Sequence, residues 1–234
     1  MVCTAAVHAA GVTITPGDSP ASLAGVTMDL DCDDLVVNGT LDITGATFTK
    51  VGNVIIGAGG VVNASGASIQ VNRGWANTGA FNGAGSTVTA SNSCANTSTS
   101  FAGNTTFFNL SATVPGHMLN LAAGSEQQVA GLLTLNGVQL LGQGGTSYLT
   151  LLPGGTQNIG AVGVNQVDAT RGQHLAPTQL NQIAGGVAPN WFRTATSAVP
   201  VPTQGPLGLA LMGLLLCAAA FAQRRSGTSR RAPR

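Results

Sequence analysis

From residue 26 to residue 185, apolar residues alternate with Thr, Ser, Asn and Gln in short runs broken by Gly or Asn. This is the period-2 pattern of half-buried β-strands joined at tight corners. The runs recur. Gly39–Thr49 reads GTLDITGATFT, Gly60–Gln70 reads GVVNASGASIQ and Gly79–Thr89 reads GAFNGAGSTVT, offset by 21 and then 19 residues. Gly131–Leu141, GLLTLNGVQLL, keeps both glycines and the apolar positions of the unit.

A period of ~20 residues with two or three short strands each describes a β-solenoid rung. The expected fold is all-β, a right-handed parallel β-helix over residues 26–192 with one hydrophobic helix at the C-terminus. Leu41, Val62 and Phe81 should point inward on one face, and Phe48, Ile69 and Val88 on the next. Asp42, Asn63 and Asn82 occupy equivalent polar positions and should stack as a ladder. Gly and Asn supply left-handed backbone at the corners. A sandwich of hairpins would also space short strands regularly, but the near-constant offset favours the solenoid. The body has room for roughly eight rungs, or ~38 Å at ~4.8 Å per rung. Residues 165–192 should close its open end.

Composition sharpens this picture. Only 7% of residues are charged, while 44% are hydrophobic, so low charge here does not mean disorder. The surface must be hydroxyl and amide. All eight acids precede residue 206, whereas the last twelve residues carry Arg224, Arg225, Arg230, Arg231 and Arg234 without an acid. A mildly acidic body with a basic tail argues against nucleic acid as a partner of the body. The four cysteines, Cys3, Cys32, Cys94 and Cys217, show no metal-binding spacing. Cys32 and Cys94 could pair in an oxidising compartment, but the repeat sets them about three rungs apart, which argues against a bond.

The ends carry address information. Residues 1–25 form an N-terminal segment that begins MVCTAAVHAAG; it reads either as the end of a truncated signal peptide, with the export signal expected upstream, or as a short disordered stub. Residues 193–206 read as a Pro/Thr-rich linker. Leu207 to Ala222 is a run of sixteen uncharged residues, short for a span that wants ~20. Arg224 and Arg225 follow as a stop-transfer signal that places this end in the cytoplasm and the body outside. Val201-Pro202-Thr203, then Gly208, the apolar run and the arginines resemble the IPTL-CTERM sorting signal, a relative of the PEP-CTERM signals of Gram-negative bacteria. Gln204, Gly205 and Leu207 stand where that family usually has Leu, Ser and Trp. The resemblance implies an exosortase-type protease and a membrane as partners. It also implies a cell-envelope protein tethered by its C-terminus before processing, then displayed or released. Asn190-Trp191-Phe192 resembles the last rung of the secreted β-helix proteins that carry such signals.

Chemistry is sparse. Asp29, Asp31, Asp33 and Asp34 could offer alternate carboxylates to Ca²⁺, but the glycine and terminal glutamate of an EF-hand loop are missing. A charged edge strand is the plainer reading, and no metal or cofactor is expected. Glu126 stands alone in sequence, Asp168 and Arg171 fall in the closing segment, and His8, His117 and His174 lack ligand spacing. His117 follows Pro115-Gly116 and reads as a turn residue. A structural or adhesive role toward extracellular polysaccharide is therefore expected, without catalysis. The alternatives are a carbohydrate-active β-helix enzyme and a passive membrane-anchored protein. Convergence of Glu126, Asp168 and Arg171 on one face would favour the enzyme.

Overall fold

The computed structural model describes residues 7–8, 11–17, 20–180 and 186–192. The chain divides into a unit Met1–Phe192 and a second, Arg193–Arg234; the expected sorting motif, apolar helix and arginine stop all fall in the second, outside the described residues. Among the described residues no helix is long and apolar enough to cross a membrane.

The body is an all-β parallel solenoid of about seven turns. Each turn has three faces. The first holds Thr27–Asp29, the start of Thr47–Ile56, the start of Ser68–Asn77, then Thr87–Ala90, Asn109–Ala112, Leu132–Leu135 and Thr156–Ile159, each parallel to the next. The second runs from Val12–Ile14 and Leu35–Val37 through the ends of those two long strands to Ser98–Gly103, Met118–Ala122, Val138–Gln143, Ala161–Asn165 and Gln179–Leu180. Because Thr47–Ile56 and Ser68–Asn77 turn the corner unbroken, these two faces form one 15-stranded sheet. The third face is split into two four-stranded sheets, Ala21–Ser22 to Ala80–Asn82 and Thr105–Phe107 to Val167–Asp168.

The repeat positions fall where the alternation sets them. Leu41 pairs with Val62 and Val62 with Phe81; Phe48 pairs with Ile69 and Ile69 with Val88. Five of the six are buried, and Phe81 is half-buried because it is the last strand of its sheet. Its ring meets Trp75 edge-on at 4.9 Å, and Trp75 meets Phe107 at 5.1 Å. This aromatic knot fills the core where the third face breaks, and edge-to-face packing suits it.

The two glycines of the unit do different jobs. Gly45, Gly66 and Gly85 sit at φ +65°, +65° and +70° and make the left-handed corner. Gly60 and Gly79 have ordinary φ, but a Cβ there would run into the carbonyl oxygens of Val37 and Gly57 in the adjoining turn. Those glycines serve close approach rather than handedness. The copy at Gly131–Leu141 is displaced by one face: Leu133 stacks on Leu110 of the first face and Leu140 on Leu119 of the second. A strand–glycine corner–strand unit reads the same at any corner, so sequence similarity alone did not fix its phase.

Pairing reaches N-terminally past the repeat, since Val7–His8, Val12–Ile14 and Ala21–Ser22 pair with the next turn. Thr27–Asp29 is therefore flanked on both sides and is not the edge strand its acids suggested. At the far end, Gln166, Ala169 and Leu175 donate their N–H groups to the carbonyls of Val187, Pro189 and Asn190. Trp191 and Phe192 are buried there. Residues 186–192 thus cover open backbone groups of the last turn.

Candidate functional site

The corner between the first and second faces departs most from expectation. Cys32 and Cys94 are disulfide-bonded, with Cα atoms 5.6 Å apart. The separation of 62 residues is close to three periods, which puts both cysteines at the same corner, and the intervening rungs would hold them ~14 Å apart. The connection between Thr87–Ala90 and Ser98–Gly103 is longer than the other turns of this corner, and it folds back across them. Asn72 seats it. The Asn72 side chain donates to Val51 O at 3.0 Å and accepts Cys94 N–H at 3.1 Å, while Asn96 Nδ2 and Thr99 Oγ1 donate to Asn72 O at 2.6 and 2.5 Å.

The acidic group is used in the same corner. Asp29 pairs with Lys50 at 3.0 Å and accepts Asp31 N–H; the hydrogen bond and charge of Asp29 raise the Lys50 pKa. Asp33 accepts Gly11 N–H, and Asp34 Oδ1 accepts both the N–H and the side-chain Nδ2 of Asn53 at 2.8 Å. Among the described residues no group of three or more His, Cys, Asp or Glu is arranged to hold a metal ion. Asp29 and Asp33 are turn and corner acceptors, and Asp31 gives its N–H to Asp29.

Glu126 does not stand alone. Arg171 Nη1 donates to Glu126 Oε2 at 2.7 Å, Thr150 Oγ1 donates to Glu126 Oε1 at 2.6 Å, and the Arg171 guanidinium lies 3.3 Å over the Tyr148 ring. Glu126 pairs with Tyr148 and Tyr148 with Asp168, so all three stand in one outward column of the third face. Asp168 itself accepts Thr170 N–H at 2.6 Å. Partial burial works against ionisation of Glu126, but hydrogen bonds from Thr150, Arg171 and Gln128 outweigh it and hold its carboxyl below the usual value. The sequence hid this because the partners lie 24 and 45 residues apart; only the strand pairing of 126 with 148 and of 148 with 168 aligns them.

His117 is buried, and burial lowers its pKa. Thr99 gives its proton to Asn72 O, so it accepts from His117 Nε2 at 2.9 Å, leaving His117 Nδ1 buried without a partner. This is a neutral core histidine beneath the turn at Pro115-Gly116.

The outward sides of the faces differ in chemistry. On the third, the ladder forms as expected in its upper step, Asn82 Nδ2 donating to Asn63 Oδ1 at 2.9 Å, whereas Asp42 turns to cap Thr44 N–H. On the first face, Thr47, Ser68, Thr87 and Asn109 make one outward column, and Gln70, Thr89 and Ser111 make the other, a shift in register between Phe48 and Val51 interrupting it at Thr49. Beside the break in the third face lies an apolar groove of about 260 Å³, lined by Phe81, Gly83, Ala84, Thr106, Phe107, Phe108 and Ala130. No family model matches the chain, and neither a curated protein nor a solved structure matches it.

Proposed function

We propose that this chain is a non-enzymatic cell-envelope protein, exported and displayed or released as a β-solenoid. The coil is right-handed, the hand that right-twisted parallel strands impose on their crossovers. The observation that carries the reading is the Cys32–Cys94 disulfide. Such bonds form and persist outside the reducing cytosol, so the bond supports export independently of the C-terminal signal. In the same proposal, Val201-Pro202-Thr203 and Gly208 are read by an exosortase-type protease, and Leu207 to Ala222 holds the chain in the membrane until then.

Fractionating the cells that make it tests this reading. The chain should be in the envelope or medium with Cys32 and Cys94 oxidised, and its mature form should lack Arg234 by mass. A cytosolic chain with reduced cysteines sinks the proposal; an envelope chain that keeps Arg234 makes it a passive anchored protein.

The enzyme alternative has one observation in its favour, the column of Glu126, Tyr148 and Asp168 with Arg171 across it. Its groups are poorly disposed for catalysis. A general acid needs a raised pKa, whereas Glu126 is held ionised. Arg171 covers the Tyr148 ring that a sugar would stack on. New chain ends appearing in a polysaccharide incubated with the chain, and absent with Glu126→Gln, would decide for the enzyme.

A further inference from the structure

The third face satisfies much of its outward polar surface internally, through Asn82 with Asn63, Thr106 with Gln128, and Glu126 with Thr150 and Arg171. On the first face Thr49 and Thr87 are engaged, by Met28 O and Asn109 Nδ2, but most hydroxyls are left open. Those of Thr47, Ser68, Thr89, Ser111 and Thr134 meet no protein partner among the described residues. From the turn of Ser68 to that of Thr156 both outward columns are uncharged and follow the parallel pairing of the strands.

Apolar surface borders these columns. Phe108, 40% exposed, immediately precedes Asn109 and forms part of the groove wall. Leu132, equally exposed, follows Asn109 one rung on and donates its N–H to Asn109 Oδ1.

We infer that the first face, with Phe108 at its edge, is a binding platform for a neutral, extended polysaccharide lying along the solenoid axis. This rests on the reading that the body faces the outside of the cell. Every second rung repeats after ~9.6 Å, near the length of one disaccharide unit of an extended β-linked glycan. Hydroxyls and amides at that interval can meet successive sugars in the same way, while an aromatic ring offers a flat apolar face to a pyranose. Acidic polysaccharides find no cation on these columns. An ice lattice would need identical stiff side chains on every rung; Thr is stiff at χ1, but Ser68, Gln70 and Asn109 interrupt it.

The test is retention of the oxidised full chain on cellulose, mannan and dextran, with alginate as the acidic comparator. At least one neutral polymer should hold it and alginate should not. Phe108→Ala and Thr89→Glu should each weaken retention about tenfold, the effect of losing one or two good interactions. Ser111→Lys, of opposite charge, should do the same, while Asn63→Glu on the third face should not. Each variant must keep the parent's unfolding midpoint to count. The inference falls if no neutral polymer retains the chain, if Asn63→Glu weakens retention as much as Thr89→Glu, or if the chain instead arrests ice recrystallisation in a Thr89-dependent way. Retention is read on purified chain, so its failure is distinct from failure of the envelope location.

Discussion

Removing the Cys32–Cys94 bond, by Cys32→Ser with Cys94→Ser, should destabilise the N-terminal turns and leave the C-terminal ones nearly untouched. The bond closes a loop of 62 residues. In the chain-entropy account a loop of this length removes roughly 14 cal/mol/K from the unfolded state, or about 4 kcal/mol at 25 °C. A solenoid's stability is approximately a sum over neighbouring turns, so the loss belongs to the stapled turns rather than to the whole chain. Amide exchange separates the two. Protection in Leu35–Val37, Thr47–Ile56 and Ser68–Asn77 should fall by up to about a thousandfold. That in Val138–Gln143 and Ser147–Leu151 should change little. Thiol titration gives an independent check: of the four cysteines in the chain, two lie in this bond, so the denatured oxidised chain should titrate two fewer thiols than the reduced one. Equal loss of protection at both ends, or a change below about 1 kcal/mol, would refute the argument that the bond staples these turns.

Three further outcomes follow from single positions. Phe48 is fully buried between Met28 and Ile69, so Phe48→Ala should cost about 3–5 kcal/mol in urea unfolding; a loss under 1 would mean the face is not packed. Gly66→Ala meets open space at φ +65° and should cost about 1 kcal/mol, whereas Gly79→Ala meets backbone oxygen and should cost about 2–3; equal midpoint shifts would erase the distinction between the two glycines. His117 is buried with a lowered pKa, so the unfolded chain binds its proton first. Stability should be full above about pH 6.5 and fall below it toward the lowered folded value, by at most about 1.4 kcal/mol per pH unit. His117→Gln should flatten that slope, and an unchanged slope would place its origin elsewhere. Asp42 and Glu126, also lowered, add acid loss only below about pH 4.

The repeat was legible because alternation and glycine corners are local signals. Leu41, Val62, Phe48, Ile69 and Val88 could be placed inside from their spacing alone. The phase of Gly131–Leu141 could not, since every corner uses the same chemistry. The disulfide was misread for a related reason. A straight count of rungs ignored the polar run SNSCANT at residues 91–97, too long for a tight corner and able to reach back. Glu126 and Arg171 looked unrelated because pairing in a solenoid depends on position modulo the turn, and the turns lengthen from 19 residues at Ile69 to Val88 to 24 at Leu133 to Gln157. A fixed period drifts out of register over that distance.

The break in the third face divides the solenoid mechanically. The disulfide spans turns on its N-terminal side, and the Glu126–Arg171 pair ties turns on its C-terminal side. The disulfide enters the interval between Asn82 and Thr105 only as far as Cys94 and does not reach Thr105; on the third face the gap is bridged by side chains, Trp75 Nε1 and Asn77 Nδ2 both donating to Thr105 Oγ1. Two faces of continuous backbone ladder resist stretching along the axis, while the third offers no ladder hydrogen bond at this level. A lateral load should therefore bend the solenoid at this seam, opening the Phe81–Phe108 groove while both stapled halves stay intact. A filament of this kind yields at one built-in compliant joint instead of unravelling from an end.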